Sequence, residues 1–365
     1  IRILADGLAE WDVGNHHFGS EPKAELAQAL VESAAGRMKY VVLTCGGSEA
    51  IDVAIKSARH ATGRRRIVAI DAGFHGRTGL AGAAGDDEVA RYFLSAKPDE
   101  FIKVPFNDLG AMRAALQGSD VAGVLLETIP ATCGFPLPDD DYLPGVRALC
   151  DEFDTLYIAD EVQTGLGRTG TLWGVEQWGV EPDILVTGKG LSGGLYPVSA
   201  TLLNARAGEW LEDNGWGHVS TFGGSDLGCL VAKRVVEICS DPATLENVKK
   251  QSHYLVAGLQ SLAARFPFLE AVRHRGLVMG LKFADETTGL GMMRALYENG
   301  VWAFIAGFDQ SVVQFKPGLL VDKEFCDELL KRVENACIWF LRAMAEVMSG
   351  GSGPSDKALI DPIRG

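Results

Sequence analysis

Four short segments hold the residues whose types and spacing could do chemistry together. They read GGSE at 46–49, FHG at 74–76, DEVQ at 160–163 and TGKG at 187–190, and each lies at or just past the end of an apolar run. A lysine amine can form a Schiff base with an aldehyde, and a carboxylate can pair with a protonated ring nitrogen. Glycine-rich backbone at a helix start can hold a phosphate, and an aromatic side chain can stack on a ring. A pyridoxal-phosphate site requires all four kinds of group.

Each segment has a simpler explanation when it is taken alone. Ser48 could cap a helix, Phe74 could belong to the core, Asp160 could cap another helix, and Lys189 could simply be solvated. The pyridoxal-phosphate interpretation therefore depends on the convergence of all four segments.

Three motif matches point to other chemistries, but their surroundings do not support them. The GLGRTG match at 165–170 fits a dinucleotide-binding loop, yet no clean helix follows it and no acidic residue ends a later strand at the required distance. The GLSGG match at 190–194 fits a serine-hydrolase elbow, but Pro197 blocks the helix that this motif needs. Lys189 is followed by glycine rather than Ser or Thr, so the phosphate-loop pattern of nucleotide-binding proteins also fails.

The composition is that of a globular protein with an acidic surface. The 365 residues are 47% hydrophobic and 22% charged, with a net charge of -14. This charge disfavours nucleic acid and anionic membranes as partners, and no apolar run is long enough for a membrane helix. Seven cysteines without Cys-x-x-Cys spacing predict reduced thiols in a cytoplasmic protein. No metal site is predicted, because the adjacent His16 and His17 lack a third ligand.

Short apolar runs alternate with helical patterns through the first two thirds of the chain. This alternation predicts an α/β fold with a mostly parallel sheet covered on both faces. The predicted strands are 41–44, 67–71, 101–104, 121–127, 156–160, 184–187 and 199–203. The predicted helices are 48–62, 109–116, 143–153 and 226–240. Ligands of such sheets bind at the carboxyl ends of the strands, which is where the four segments fall.

The pattern changes at about Leu245 to that of a smaller α+β domain. A long helix (245–265) is followed by a strand (278–283), a helix (292–299), a strand (312–316) and a helix from 323 onward. The predicted large domain is 22–242, and the small domain comprises 1–21 and 243–348. The Gly/Ser-rich stretch that opens 349–365 predicts a flexible tail.

Longer motifs around the four segments resemble the class III aminotransferases, the group of ornithine, 4-aminobutyrate and amine transaminases. The matching segments are GGSEAIDVAIKSAR (46–59), FHGRTG (74–79), DEVQTGLGRTG (160–170), PDILVTGKGLSGGLYPVSA (182–200) and STFGGSDLGC (220–229). The resemblance covers nearly the whole chain, and it contains the dinucleotide-type and hydrolase-type matches. It implies fold type I, the aspartate aminotransferase-like architecture of pyridoxal-phosphate enzymes, with pyridoxal 5′-phosphate as cofactor.

The resemblance implies three catalytic residues. Lys189 would hold the cofactor as an internal aldimine and, once freed by the substrate amine, would act as general base. Asp160 would pair with the pyridine nitrogen. Glu127 would lie near the cofactor and the substrate.

The resemblance also implies a set of cofactor-binding residues. They are Gly47, Ser48, Phe74, His75, Asp160, Val162, Gln163, Lys189 and Thr221. Val162 and Phe74 would sandwich the ring, and Gln163 would hydrogen-bond its oxygen. Gly47 and Ser48 would hold the phosphate. Thr221 would reach the cofactor phosphate of a neighbouring subunit, so each site would be built at a homodimer interface.

The implied reaction moves an amino group from a small-molecule amine donor to a carbonyl acceptor with ping-pong kinetics. Racemisation or epimerisation remains an alternative, because the same Lys189 could return the proton to the same carbon. Consumption of an added keto acid separates the two. A non-catalytic scaffold is a further alternative, against which the intact Lys189, Asp160, Gln163 and Thr221 argue.

One departure from the family concerns the donor. Members that act on α- or ω-amino acids commonly place an arginine on the strand before a Pro-Pro-Leu turn, where it binds the substrate carboxylate. Here Gln314 falls at that position, and Ala306 falls near the place of a mobile arginine found in some amine transaminases. A carboxylate clamp needs a guanidinium. We therefore expect a donor without a carboxylate at that place, such as an amine or an amino sugar. The alternative is that Lys316 offers a point charge to a carboxylate.

Overall fold

The computed structural model describes residues 1–11, 18–34, 36–87, 99–118 and 120–348. His16, His17 and the predicted tail from 349 onward lie outside these residues. The chain divides into two compact units. The first comprises Ile1–Pro130 and Pro138–Leu245, and the second comprises Ala131–Leu137 and the chain from Glu246 onward.

A 7-stranded sheet forms the centre of the first unit, in the order β1-β7-β6-β5-β4-β2-β3. The strands are β1 (Met38–Thr44), β2 (Arg66–Ile70), β3 (Phe101–Val104), β4 (Val121–Glu127), β5 (Leu156–Asp160), β6 (Ile184–Thr187) and β7 (Ser199–Asn204). Strands β3, β2, β4, β5 and β6 run parallel to one another, whereas β7 is antiparallel to both β6 and β1. The prediction of an α/β fold with a mostly parallel sheet is confirmed.

The central strands are apolar throughout because both faces of the sheet are covered. Every residue of β4, β5 and β6 is buried. The two acids among them, Glu127 and Asp160, stand at the last position of their strands. The acidic side chains of this part of the sheet thus lie at the carboxyl ends of β4 and β5, beside the cleft described below.

The helices of the first unit are α1 (Arg2–Glu10), α2 (Glu21–Ser33), α3 (Gly47–Thr62), α4 (Gly79–Ala84), α5 (Leu109–Leu116), α6 (Tyr142–Glu152), α7 (Ala205–Gly208), α8 (Trp210–Asp213) and α9 (Asp226–Ser240). Two 3-10 turns add Gly174–Trp178 and Lys189–Ser192. Helix α3 matters most for the site. Its buried positions 50, 51, 54, 55 and 58 form one apolar stripe, and Gly63 ends the helix in the left-handed conformation.

A 4-stranded antiparallel sheet forms the second unit, in the order β10-β11-β9-β8. Its strands are β8 (Leu269–Arg275), β9 (Val278–Phe283), β10 (Phe304–Ile305) and β11 (Val312–Phe315). Its helices are α10 (Pro242–Arg265), which begins in the first unit, α11 (Glu286–Glu298) and α12 (Lys323–Met348). Residues such as Leu259, Phe283 and Val313 form its core.

The division into units differs from the expected domain bounds in two places. Residues 1–21 were expected in the small domain, but they belong to the first unit. The reason is local packing, because Gly7 of α1 lies so close to α9 that a Cβ there would be 2.7 Å from Leu230 and 3.1 Å from Leu227. In addition, Ser20 Oγ donates to Asp226 Oδ1 at 2.5 Å. Conversely, Ala131–Leu137 belongs to the second unit, where Arg273 donates to Gly134 O at 2.7 Å.

Among the helices that the structure describes, none has the length and apolar character needed to cross a membrane.

Candidate active site

The carboxyl ends of β4, β5 and β6 bring the polar groups of the site together. Glu127 and Asp160 are direct partners in the β4–β5 ladder, and Asp160 pairs in turn with Val186 of β6. One residue after Val186 comes Thr187, the end of β6, followed by Gly188 and Lys189. Parallel strands that end at one edge therefore place two carboxylates and a lysine in neighbouring positions.

A cleft of about 170 Å³ opens at this edge of the sheet. The residues that line it come from all four segments and from β4. They are Gly47, Ser48, Phe74, His75, Gly76, Glu127, Asp160, Val162, Gln163 and Lys189. The cleft thus brings together nine of the residues that sequence reasoning singled out and adds Gly76. Thr221 does not line it.

Asp160 and His75 form a buried pair at the base of the cleft. Asp160 is 4% exposed and His75 is 3% exposed. His75 Nδ1 lies 2.8 Å from Asp160 Oδ2. Because a carboxylate can only accept, Nδ1 carries the proton. Val162 N donates to the other oxygen, Oδ1, at 3.1 Å. Two donors therefore fix the orientation of the Asp160 carboxylate.

Glu127 is equally buried and orients the segment that carries Phe74. Its Oε1 accepts a hydrogen bond from Phe74 N at 3.0 Å, and the Glu127 side chain also makes other polar interactions. The guanidinium of Arg77 lies over the Phe74 ring, 5.6 Å from the ring centroid. The backbone of Phe74 is thus hydrogen-bonded to the end of β4, while its ring makes a cation–π contact with Arg77.

Helix α3 begins at the cleft with Gly46 as its N-cap and Gly47 and Ser48 in its first turn. The first N–H groups of a helix have no partner within the helix, and the helix dipole favours an anion there. Close backbone packing explains the glycines. A Cβ on Gly47 would lie 3.1 Å from Val162, and one on Gly76, whose φ is 120°, would lie 2.3 Å from Ser48 Oγ. Ser48 Oγ also accepts from Thr78 N at 3.1 Å. This arrangement, which we call the cradle, is suited to an anion and leaves little room for any other side chain.

Lys189 begins the 3-10 turn that follows β6, with its side chain exposed and a φ of 40°. Non-glycine residues rarely adopt this left-handed conformation, and such strain concentrates at functional sites. The preceding Gly188 packs closely, since a Cβ there would lie 3.2 Å from Ser199. Within the described part of the chain, the buried Thr187 Oγ1 has no hydrogen-bond partner.

Glu161 has a structural task that its position in the DEVQ motif did not reveal. It points away from the cleft and is 1% exposed. Its carboxylate accepts from Thr164 Oγ1 at 2.9 Å, Gly174 N at 2.8 Å and Val175 N at 3.0 Å, and also from Thr128. Burial raises the pKa of Glu161, and these donors oppose that rise. The carboxylate thus links Thr164 to Gly174 and Val175, which lie on either side of the glycine-rich 165–170 turn.

Sequence reasoning missed Gly76 and Thr78 as parts of the cradle. The FHGRTG motif contained both, but nothing in its spacing indicated that Ser48, about thirty residues earlier, would contact them. The glycine at position 76 was the one available signal, since glycine readily adopts the positive φ that the structure shows there.

The fold and this cleft together define a class III aminotransferase, and the comparisons with known proteins show the same family. The family described as aminotransferase class-III matches residues 3–337, so the chain belongs to it. An uncharacterized aminotransferase of Archaeoglobus fulgidus is 45% identical over 336 residues, which cover 92% of this chain and 79% of the relative. Putrescine aminotransferase of Pectobacterium atrosepticum is 35% identical over 92% of this chain and 74% of its own length.

Solved structures agree with this assignment. The ornithine aminotransferase of Toxoplasma gondii superposes with a TM-score of 0.86 at 26% identity, over 93% of this chain and 82% of that one. Its active site contains pyridoxal phosphate at partial occupancy. The predicted family, fold type, enzyme class and cofactor are confirmed.

The residues of the cleft fit pyridoxal phosphate. The cradle at Gly47 and Ser48 offers N–H groups to a phosphate, and the buried Asp160 offers a carboxylate to a ring nitrogen. Lys189 lines the same cleft and carries a primary amine, the kind of group to which this cofactor attaches.

Proposed function

We propose that this aminotransferase transfers an amino group from a donor without a carboxylate, such as a simple amine or an amino sugar, to a carbonyl acceptor. Lys189 is the proposed attachment point of the cofactor. The observation that carries this proposal is the convergence of Lys189, the Asp160–His75 pair and the cradle on one cleft.

Lys189 has two proposed tasks, both at Nζ. Its amine would hold the cofactor in the resting enzyme, and the same amine, when free, would take the proton from the donor carbon. When bound, pyridoxal phosphate supplies a ring that stabilises negative charge at that carbon. The exposed position of Lys189 at the cleft leaves Nζ free to move between these tasks.

Asp160 is proposed to keep the ring nitrogen of the cofactor protonated. A charge-assisted hydrogen bond from a buried carboxylate favours the protonated nitrogen, which makes the ring a better electron acceptor. His75 Nδ1–H and Val162 N–H hold the carboxylate in one orientation. His75 is therefore a proposed positioning residue for Asp160.

The remaining proposed roles concern binding. Phe74 and Val162 enclose the ring, Gln163 hydrogen-bonds its oxygen, and Glu127 keeps the Phe74 segment in place beside cofactor and substrate. Gly47 and Ser48 hold the phosphate through the first turn of α3.

The proposed donor class rests on Gln314 in strand β11 and on the name of one relative. Strand β11 reads VVQF, and Gln314, at the place of the family's carboxylate-binding arginine, accepts a hydrogen bond from Lys316 Nζ at 2.8 Å. One relative is named for putrescine, a diamine without a carboxylate. The absence of a guanidinium at position 314 and the name of this relative support an amine donor, and the name also supports amino transfer rather than epimerisation.

The proposed assembly is a homodimer in which Thr221 contributes to the neighbouring subunit's cofactor phosphate. Thr221 is exposed and does not line the cleft of its own chain, which supports a role outside it. The proposed compartment is the cytoplasm, which the seven free cysteines support.

The visible absorption spectrum of the purified protein, compared with that of Lys189→Ala, tests the attachment. We expect a yellow wild-type protein whose band bleaches when an amine donor is added. We expect Lys189→Ala to lack the lysine-bound band and to lose activity. A wild-type protein that takes up no pyridoxal phosphate would contradict the proposal.

A donor screen tests the specificity. We expect putrescine and simple amines to exceed ornithine and 4-aminobutyrate in kcat/KM by about tenfold or more. The variant Gln314→Arg should raise kcat/KM for carboxylate-bearing donors. Stoichiometric consumption of an added keto acid separates transfer from epimerisation. Preference of the wild type for 4-aminobutyrate would refute the proposed donor class.

A further inference from the structure

Helix α4 begins after Thr78, but a residue of another helix caps its N-terminus. Thr78 is the N-cap of α4, and a threonine at an N-cap typically accepts a hydrogen bond from the second or third N–H of its own helix. Within α4 as the structure describes it, the Thr78 side chain makes no such bond. Instead, Asp52 Oδ1 of α3 accepts from Ala81 N, the third N–H of α4, at 2.7 Å. Asp52 therefore takes the place of the N-cap side chain.

The chain passes close to the Asp52 carboxyl group at the start of α4. A Cβ on Gly79, whose φ is 43°, would lie 2.8 Å from Asp52 Oδ2. Burial raises the pKa of Asp52, while hydrogen bonds from the N–H groups of Ala81 and Leu80 lower it. A carboxyl oxygen can accept from these N–H groups whether or not the carboxyl group is protonated. The capping therefore depends on geometry and not on the charge of Asp52.

The Thr78 side chain, which does not cap α4, contacts the cradle. Thr78 N donates to Ser48 Oγ at 3.1 Å, and Thr78 Oγ1 lies 2.5 Å from the same oxygen. Ser48 and Asp52 are one turn apart on α3, so both face the segment that leads into α4. A hydroxyl group has two acceptor sites and one proton. When the N–H and O–H groups of Thr78 fill both acceptor sites of Ser48 Oγ, the proton of Ser48 is left for a third partner.

We propose that Asp52 and Thr78 are positioning residues for Ser48. Asp52 caps α4, which leaves the Thr78 hydroxyl to donate to Ser48 Oγ, and the proton of Ser48 is thereby directed to the cofactor phosphate. This inference rests on the proposed function, in which Ser48 holds that phosphate. Without the Asp52 carboxyl group, the Thr78 hydroxyl would turn to Ala81 N, its ordinary partner as an N-cap, and Ser48 would lose a donor.

The test is a spectroscopic titration of the purified protein, stripped of cofactor, with pyridoxal phosphate and, separately, with pyridoxal, which lacks the phosphate. We expect Thr78→Val to raise the Kd for pyridoxal phosphate about fivefold to tenfold, because one hydrogen bond is lost. The Kd for pyridoxal should stay within about twofold of wild type, since the lost hydrogen bond acts on the phosphate. Thr78→Ser keeps the hydroxyl and should bind both compounds as the wild type does.

The role of Asp52 is tested through its coupling to Thr78. Asp52→Ala should raise the Kd for pyridoxal phosphate about as much as Thr78→Val does. Asp52→Asn should bind within about twofold of wild type, because its amide oxygen can still accept from Ala81 N. The double variant Asp52→Ala with Thr78→Val should be at most about twofold weaker than Thr78→Val alone, because Asp52 acts through the Thr78 hydroxyl.

Asp108→Ala is the matched control. Asp108 caps α5 by accepting from Ala111 N at 2.8 Å, which is the same kind of bond, but it does not line the cleft. This variant should lower the thermal midpoint as Asp52→Ala does and leave both Kd values unchanged.

Three results would overturn the proposal. They are effects of Asp52→Ala and Thr78→Val that multiply in the double variant, an equal rise in the Kd for pyridoxal, and an unchanged Kd for pyridoxal phosphate in Thr78→Val. Position 78 is exposed, so Thr78→Val tests the contact with Ser48 even if Asp52→Ala does not fold. A wild type that binds no pyridoxal phosphate would instead overturn the proposed function on which the inference rests.

Discussion

Two consecutive acids at the end of β5, Asp160 and Glu161, have different roles: the first faces the cleft and the second stabilises the surrounding structure. Asp160 faces the cleft and is oriented by His75 and Val162. Glu161 faces the opposite side and accepts hydrogen bonds from Thr128, Thr164, Gly174 and Val175. Successive side chains of a strand point to opposite faces, so the two carboxylates take opposite roles.

Replacement of Asp160 tests its proposed role at the ring nitrogen of the cofactor. Asp160→Asn keeps the shape of the side chain but removes the negative charge that holds a protonated ring nitrogen. We expect kcat to fall by about a hundredfold or more, while the protein still takes up pyridoxal phosphate. Steady-state kinetics and the visible spectrum measure the two effects. Asp99→Asn, in a surface ion pair with Arg65, is the control, and a kcat of Asp160→Asn near that of the control would contradict the role.

Replacement of Glu161 gives a pH-dependent prediction. Burial raises the pKa of Glu161 above its ordinary value of 4.5. The carboxyl of Glu161 therefore binds its proton more tightly in the folded protein than in the unfolded chain. Its contribution to the free energy of unfolding is complete below about pH 4.5 and is lost as the pH rises through the folded-state pKa. Glu161→Gln cannot titrate. We expect the thermal midpoint of the wild type to fall relative to that of Glu161→Gln as the pH rises, and parallel curves would contradict this.

At the scale of the element, the start of α3 depends on how closely the FHGRTG segment approaches it. Gly76 packs against Ser48 with a φ of 120°, and Thr78 N donates to Ser48 Oγ. Since both strain and contact disfavour a side chain at position 76, the cradle requires this glycine.

Gly76→Ala should therefore weaken cofactor binding. We expect the Kd for pyridoxal phosphate to rise by about tenfold or more, because the new Cβ displaces Ser48. Gly63→Ala is the matched control, since Gly63 has a φ of 68° but no atom near its Cβ position. It should lower the free energy of unfolding by about 1 kcal/mol without changing the Kd. Equal Kd values for both variants would show that Ser48 does not hold the cofactor.

At the scale of the whole molecule, the sheet determines where chemistry is possible. Strands β4, β5 and β6 end together, and loops after these ends are free to carry catalytic groups. The second unit has its own antiparallel sheet and its own core. Thr221 does not line the cleft of its own chain, so its proposed role has to be tested on the assembled dimer.

Subunit mixing tests the proposed shared site. Lys189→Ala and Thr221→Ala should each have low activity alone. After unfolding and refolding of an equal mixture, a mixed dimer would contain one site with both native residues, so about a quarter of wild-type activity should return. Sedimentation identifies the dimer in each sample. Activity that stays at the average of the two variants would exclude a contribution of Thr221 to the neighbouring site.

The sequence alone predicted much of the fold because the central strands are continuously apolar. The bounds of β3, β4, β5 and β6 agree with those predicted. Prediction was weaker where the pattern was mixed. Helix α1 and strand β8 each contain only one buried residue, and neither was among the predicted elements. The antiparallel direction of β7 depends on its pairing and is not encoded in its own residues.

The sequence by itself determined the family, the cofactor and the segments that form the cleft, because these are properties of residue types and local spacing. Only the tertiary structure decided which side chains meet. His75 reaches Asp160 across 85 positions, Ser48 meets Gly76, and Asp52 caps α4. Such contacts depend on how parallel strands and their following loops align at one edge of the sheet. That alignment is set by packing of the whole first unit, which no single segment specifies.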